Sequence, residues 1–218
     1  MSGNRYLAWG AIAGPVVLTA AWLVLGAMSP GYTLWGTRVA PYSPVSQPLS
    51  GLGLGPTGPY MNAAFILFGV AVSAGVVGIF RLIPGLTARA RWACAGFLAL
   101  PAAGAMLDGV FTFEHFLPHF IGFGLVLTTV VTFPAVGFVL RRIPWWRRLG
   151  NGLIAAGPLT LVLTVLYFAT FTPTVEGIQH GIAGLTERML IVEVQAWYVA
   201  LAALALKRSS AGNELAFS

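Results

Sequence analysis

Six apolar runs of roughly twenty residues each alternate along the chain with short segments rich in Arg, Pro and Gly. The runs fall at about 7–28, 61–83, 92–112, 118–140, 151–172 and 187–206; at ~1.5 Å per residue each crosses a ~30 Å hydrocarbon layer as a helix. A backbone in lipid must satisfy its own N–H and C=O groups, and the helix does so within one segment. The pattern predicts an all-α integral membrane protein, a single six-transmembrane-helix bundle over residues 1–208, with a short polar tail over residues 209–218. The first run is longer than the ~7–15-residue core of a signal peptide and reads as a retained span.

Charge sorts the connecting segments into two sides. Arg5 precedes the first run; Arg81, Arg89 and Arg91 lie between the second and third. Arg141, Arg142, Arg147 and Arg148 lie between the fourth and fifth, and Lys207 and Arg208 follow the sixth. All ten fall on one side, which the positive-inside rule makes the cytoplasm. Only Arg38 and Arg188 lie on the other. Both termini, including the tail, are therefore expected in the cytoplasm, with the protein in the plasma membrane. Trp92, Trp145 and Trp146 beside the basic segments suit an interfacial aromatic belt.

Composition agrees and excludes other classes. Charged residues are 8% of the chain, hydrophobic residues 57%, and mean hydropathy is +0.83. The net charge of +6 does not point to nucleic acid, because the arginines sit in short turns and are explained by topology. Cys94 is the only cysteine, which rules out an intrachain disulfide and a Cys-rich metal site. Arg81-Leu82-Ile83-Pro84 resembles Arg141-Arg142-Ile143-Pro144. The two stretches fit either a parallel repeat of two hairpins or the recurrence of Arg- and Pro-containing membrane turns.

The first outer loop, residues 29–60, is long and rich in Pro and Gly, especially from Tyr42 to Pro59. That content forbids a regular helix across it, yet the segment is apolar for a solvated loop. It is expected either to pack on the outer ends of the helices and dip between them, or to lie on the surface. The stretch Tyr42 to Gly58, with Asn62 and the glycine-spotted second run, resembles the bacterial multi-pass membrane family catalogued as domain-of-unknown-function family 998. So do Gly184-Leu185-Thr186-Glu187-Arg188 and Trp197 further along the last run. The resemblance covers most of the chain. It implies a compact multi-helix membrane domain and transfers no catalytic residue.

Chemistry concentrates at the outer face. Asp108, Glu114, Glu176, Glu187 and Glu193 are five of the six acids, and they share that face with His115, His119 and His180. Asp108, Thr112 and His115, spaced four and three, would share one face if the third helix continued through them. Pro118 fits the first position of the fourth helix, which puts His119 in its first turn, where a neutral imidazole serves as base or metal ligand. A carboxylate inside a span needs a partner, a wet cavity or a proton, so Asp108 and Glu193 are functional candidates.

Three readings follow. In one, His115, His119 and His180 bind zinc as a three-His site. This resembles the membrane hydrolase superfamily of the alkaline ceramidases, except that there the paired His lie within one late helix. In the second, Asp108 or Glu193 donates a proton to a lipid or isoprenoid, as in a terpene cyclase or isomerase, without metal. In the third the polar groups only hold the bundle together, Asp108 pairing with Arg188 or hydrogen-bonding a neighbouring helix and the histidines sitting at a wet interface, in a non-catalytic lipid- or partner-binding module. The catalytic candidates are Asp108, Glu193, His115, His119 and Glu114. Phe111, Phe113, Phe116, Trp197 and Tyr198 are the aromatic candidates for substrate contact, and Ser50 and Asn62 the polar ones. The expected partners are membrane lipids and a lipophilic small molecule.

Overall fold

The computed structural model describes residues 3–172 and 180–214. Seven helices form it: α1 (Gly3–Met28), α2 (Gly58–Leu82), α3 (Ala88–Val110), α4 (Phe116–Leu127), α5 (Thr129–Leu140), α6 (Arg147–Thr170) and α7 (Ala183–Glu214). α4 and α5 run on as one apolar element, so six helical segments are long and apolar enough to cross a membrane. The chain is a multi-pass membrane protein. The observed helices outrun the apolar runs, most of all at α7, which takes in residues 209–214 of the expected tail. Hydropathy marks the lipid-facing stretch, whereas the hydrogen-bond ladder continues through Lys207, Arg208 and their neighbours.

The six segments close into a ring. α1 packs on α2, α2 on α3, α3 on α4, α5 on α6, α6 on α7, and α7 returns to α1 and α2. Small residues make the closest approaches possible. A Cβ on Gly75 would lie 2.3 Å from the Ala11 nitrogen, and one on Gly10 would lie 2.2 Å from the Ala71 carbonyl oxygen. Backbones that meet this closely gain dispersion contacts which lipid tails cannot supply.

The fourth segment is broken between α4 and α5. Thr128 and Thr129 turn their hydroxyls back onto the Leu125 and Val126 carbonyls, at 2.6 and 2.9 Å. Pro134 withholds an N–H from the next turn. α5 therefore keeps company with α6, while α4 packs against α3. The space left between α4, α6 and α7 is where the site lies.

Residues 29–57 fold over one end of the bundle, called here the loop end. A short antiparallel hairpin joins β1 (Tyr32–Leu34) to β2 (Thr37–Val39). Its two-residue turn is Trp35-Gly36, and both residues have positive φ, 47° and 83°. That is the twist a tight hairpin requires, and a Trp there carries a strain of about 1 kcal/mol. Two 3-10 turns, Leu49–Gly53 and Gly55–Thr57, follow. Leu49, Leu52 and Leu54 are buried. At the opposite end lie the arginine-rich turns, where Ile83 and Ile143 are both extended ahead of a proline. Arg81 lies over Trp92, and Arg208 lies over the exposed Trp145. Trp146, expected in the same belt, is instead buried in the core.

Gly75→Ala should lower stability by about 1–3 kcal/mol, because the added methyl must push α1 off α2. Thermal unfolding in mild detergent measures this, and an unchanged midpoint would mean that the two helices do not meet as described.

Candidate functional site

The site begins with the outward connections of α7. Arg188, one turn into that helix, is 6% exposed and reaches into the loop end. Its Nη1 donates to the carbonyls of Pro44, Gln47 and Gly184, at 2.8, 3.1 and 2.8 Å. Its Nη2 donates to the Tyr42 hydroxyl. The guanidinium also lies over the Trp22 and Tyr42 rings. Burial pushes the Tyr42 phenol up to about 12, although Arg188 beside it pulls the other way, so it stays neutral and can hydrogen-bond. Glu187 accepts the Leu49 N–H at 2.5 Å, and Leu185 N–H donates to the Val45 carbonyl. Loop carbonyls that Pro and Gly cannot pair within a helix are thus paired by α7. A Cβ on Gly184 would lie 2.2 Å from the Gln47 carbonyl oxygen, so only glycine lets the loop come this near.

Beneath that cap is a cavity of about 150 Å³. Its loop end carries Ser50, Asp108, His119 and Glu187. Deeper, Leu18, Phe65, Phe68, Pro101, Val126, Val194 and Tyr198 line it. Tyr198 is about 22 Å along α7 from Ala183 by helical rise, near the middle of the span. Phe116, Phe120 and Phe168 line the cavity and are also half exposed on the outside of the bundle. The cavity therefore reaches the lipid-facing surface between α4 and α6. The edge-on rings of Phe123 with Tyr167 and Phe168, at 5.6 and 6.1 Å, bridge that gap.

α3 stops at Val110, so Asp108, Thr112 and His115 do not share a helical face, contrary to the sequence expectation. Phe111 and Thr112 are already extended or irregular. Thr112 Oγ1 lies 3.3 Å from His115 Nδ1, and His115 is exposed. The residue that meets Asp108 is His119. α4 starts at Phe116, two residues earlier than expected, with Pro118 still in its first turn, where no N–H is needed. His119 Nδ1 lies 2.8 Å from the Phe111 carbonyl oxygen. A carbonyl only accepts, so Nδ1 carries the hydrogen, and Nε2 of the neutral ring is an acceptor. Asp108 Oδ1 lies 3.6 Å from the same Nδ1 and has no hydrogen-bond partner among the described residues. It presses on α4, where a Cβ on Gly122 would sit 2.2 Å from it. Arg188 does not pair with Asp108.

The other candidates divide. Phe116, Tyr198 and Ser50 line the cavity with Asp108 and His119, and Phe113 lines it 5.3 Å from the His119 ring. Glu193 is not part of its wall. Thr160 and Trp197 hold it between α6 and α7, at 2.9 and 2.7 Å. Trp197 lies against Gly152. Asn62 instead donates to the Gly53 carbonyl and pins the loop to α2. Phe111 contributes its carbonyl rather than its ring to the site. Glu114 is exposed, and its carbonyl accepts from Trp35 Nε1. His180 is exposed, and Glu176 lies outside the described residues. Among the described residues no three His, Cys, Asp or Glu side chains gather as a metal-binding group. The three histidines, one buried and two exposed, do not fit a zinc ion.

Sequence reasoning missed Glu187 as a wall of the cavity and Arg188 as the anchor of the loop. The signal was available: Glu-Arg at the apolar entry of a span is costly unless both charges find partners. Gln195 was missed too. It lines the cavity and accepts from Thr19 Oγ1 at 2.8 Å, while its Nε2 has no partner among the described residues.

Arg188→Ala should detach the loop and cost about 3 kcal/mol, because buried carbonyls lose their only donors. Limited proteolysis between Tyr42 and Pro59, together with a lowered melting midpoint, would register it. Wild-type resistance in the variant would show that the guanidinium is not the anchor.

Comparison with known proteins adds a family and nothing further. Residues 11–204 match the family described as protein of unknown function (DUF998). No curated protein matches the chain, and no solved structure matches it.

Proposed function

We propose that this chain, which belongs to the DUF998 family of proteins of unknown function, binds a lipid or isoprenoid in the cavity under its loop and transforms it by acid–base chemistry of the cyclase or isomerase type. The observation that carries this reading is the juxtaposition of Asp108, whose Oδ1 has no hydrogen-bond partner among the described residues, and His119, 3.6 Å away, at the polar end of an otherwise mostly apolar cavity. The cavity has about the volume that accommodates one benzene-sized molecule. It thus takes the head and first part of one chain, and the rest passes between α4 and α6 into lipid.

Asp108, in its protonated form, would add its proton to a double bond near the head. His119 Nε2 would take a proton from a neighbouring carbon, closing a redox-neutral shift or cyclisation without a co-reactant. For the next turnover Nε2 would release its proton and the Asp108 carboxylate would take one up, while Nδ1 keeps its hydrogen on the Phe111 carbonyl. Phe113, Phe116 and Tyr167 on the wall would face the intermediate cation with their ring faces. Asp108→Asn should lower turnover of a short isoprenoid panel by about a hundredfold or more, with expression and melting midpoint retained. Undiminished product by gas chromatography would remove Asp108 from the chemistry.

A non-catalytic lipid-binding role is the second reading, favoured by how tightly Asp108 packs on Gly122. It expects Asp108→Asn to alter stability or assembly instead.

The reading also places the loop end outside the cell and both termini in the cytoplasm, in the plasma membrane. The support is the ten basic residues at the other end. In a Cys94→Ala background, Gly36→Cys should react with an impermeant maleimide in intact cells and Ser209→Cys should not. The opposite labelling would invert the protein and put the cavity mouth inside.

A further inference from the structure

The polar end of the cavity has a definite charge character. Its four polar side chains, Ser50, Asp108, His119 and Glu187, include two acids, and no Lys or Arg lines the cavity. Asp108 is 7% exposed, and its Oδ1 lacks a donor among the described residues. The one guanidinium nearby in sequence, Arg188, does not line the cavity; its terminal nitrogens are committed to the Pro44, Gln47 and Gly184 carbonyls and to Tyr42, and its Nε is buried with no partner among the described residues. The one ring N–H, on His119 Nδ1, is held by Phe111. The end of the cavity therefore carries two carboxyl groups, with no Lys or Arg side chain on its wall to receive an anion. Gln195 lies about 12 Å further along α7 than Glu187 by helical rise. It is 5% exposed, lines the same cavity, and has an unpartnered Nε2.

Resting on the lipid-cavity reading, we propose that the site selects an amphiphile whose head donates hydrogen bonds, a hydroxyl or an amine, and rejects phosphate, diphosphate and carboxylate heads. A hydroxyl or ammonium gives the Asp108 carboxyl a donor at the cavity wall. An oxyanion there would face two carboxyl groups in a medium that screens poorly, and would leave its own hydration behind without pairing. The discrimination is built by repulsion as much as by attraction.

The test uses the full chain in lipid nanodiscs and scintillation-proximity binding of labelled geraniol, geranylamine and geranyl phosphate. Geraniol and geranylamine should bind saturably, and geranyl phosphate about tenfold or more weakly. Asp108→Asn should weaken geranylamine by about tenfold and change geraniol by less than about threefold. Geranyl phosphate binding as tightly as geraniol overturns the head-group selection and leaves the cavity reading standing. Absence of saturable binding by all three overturns both. The expected ranking without turnover upholds the selection while the acid–base chemistry falls. Should Asp108→Asn fail to fold, the wild-type ranking still decides.

Discussion

One guanidinium organises the loop end of this protein. A segment rich in Pro and Gly cannot pair its own carbonyls, and at the edge of a membrane water is scarce. Arg188 supplies four hydrogen bonds from a fixed planar fork, and Glu187 takes up the Leu49 N–H beside it. Two opposite charges adjacent on one helix thereby enter an apolar setting, each with polar partners. The cap and its seat on α7 follow from that anchoring.

The cavity itself is a by-product of a helix that changes allegiance. α5 packs chiefly on α6 and also touches α3, whereas α4 packs on α3. The Thr128–Thr129 break and Pro134 allow that division. The wedge between them is walled by aromatic rings and ends at Asp108 and His119. Irregular backbone in the membrane is tolerated where it borders such a space.

The spans were legible because the lipid solvent imposes a length and a composition that hydropathy reads directly. The site was legible in part. Asp108 and His119 could be singled out as costly groups at one face, but their pairing could not. Helical spacing pointed from Asp108 to His115, and that inference failed because α3 ends at Val110, where the Phe111 carbonyl is left to His119. Glu193 looked like a free acid from its depth alone. Whether it was free depended on Thr160 of a neighbouring helix, and sequence gives depth without rotation. Among the described residues the three histidines do not gather as a metal-binding group, since three histidines on one side of a membrane need not face one another.

The contact between Asp108 and Gly122 reaches beyond this one chain. Since no methyl fits at 122 while the carboxyl occupies its place, the two positions are one degree of freedom in sequence space. Relatives that keep an acid at the position of Asp108 should keep glycine opposite it. A lineage that lost the acid would be released to fill the gap with a larger side chain. Variation at 122 would then record which members of the family have kept a carboxyl at this place in the cavity.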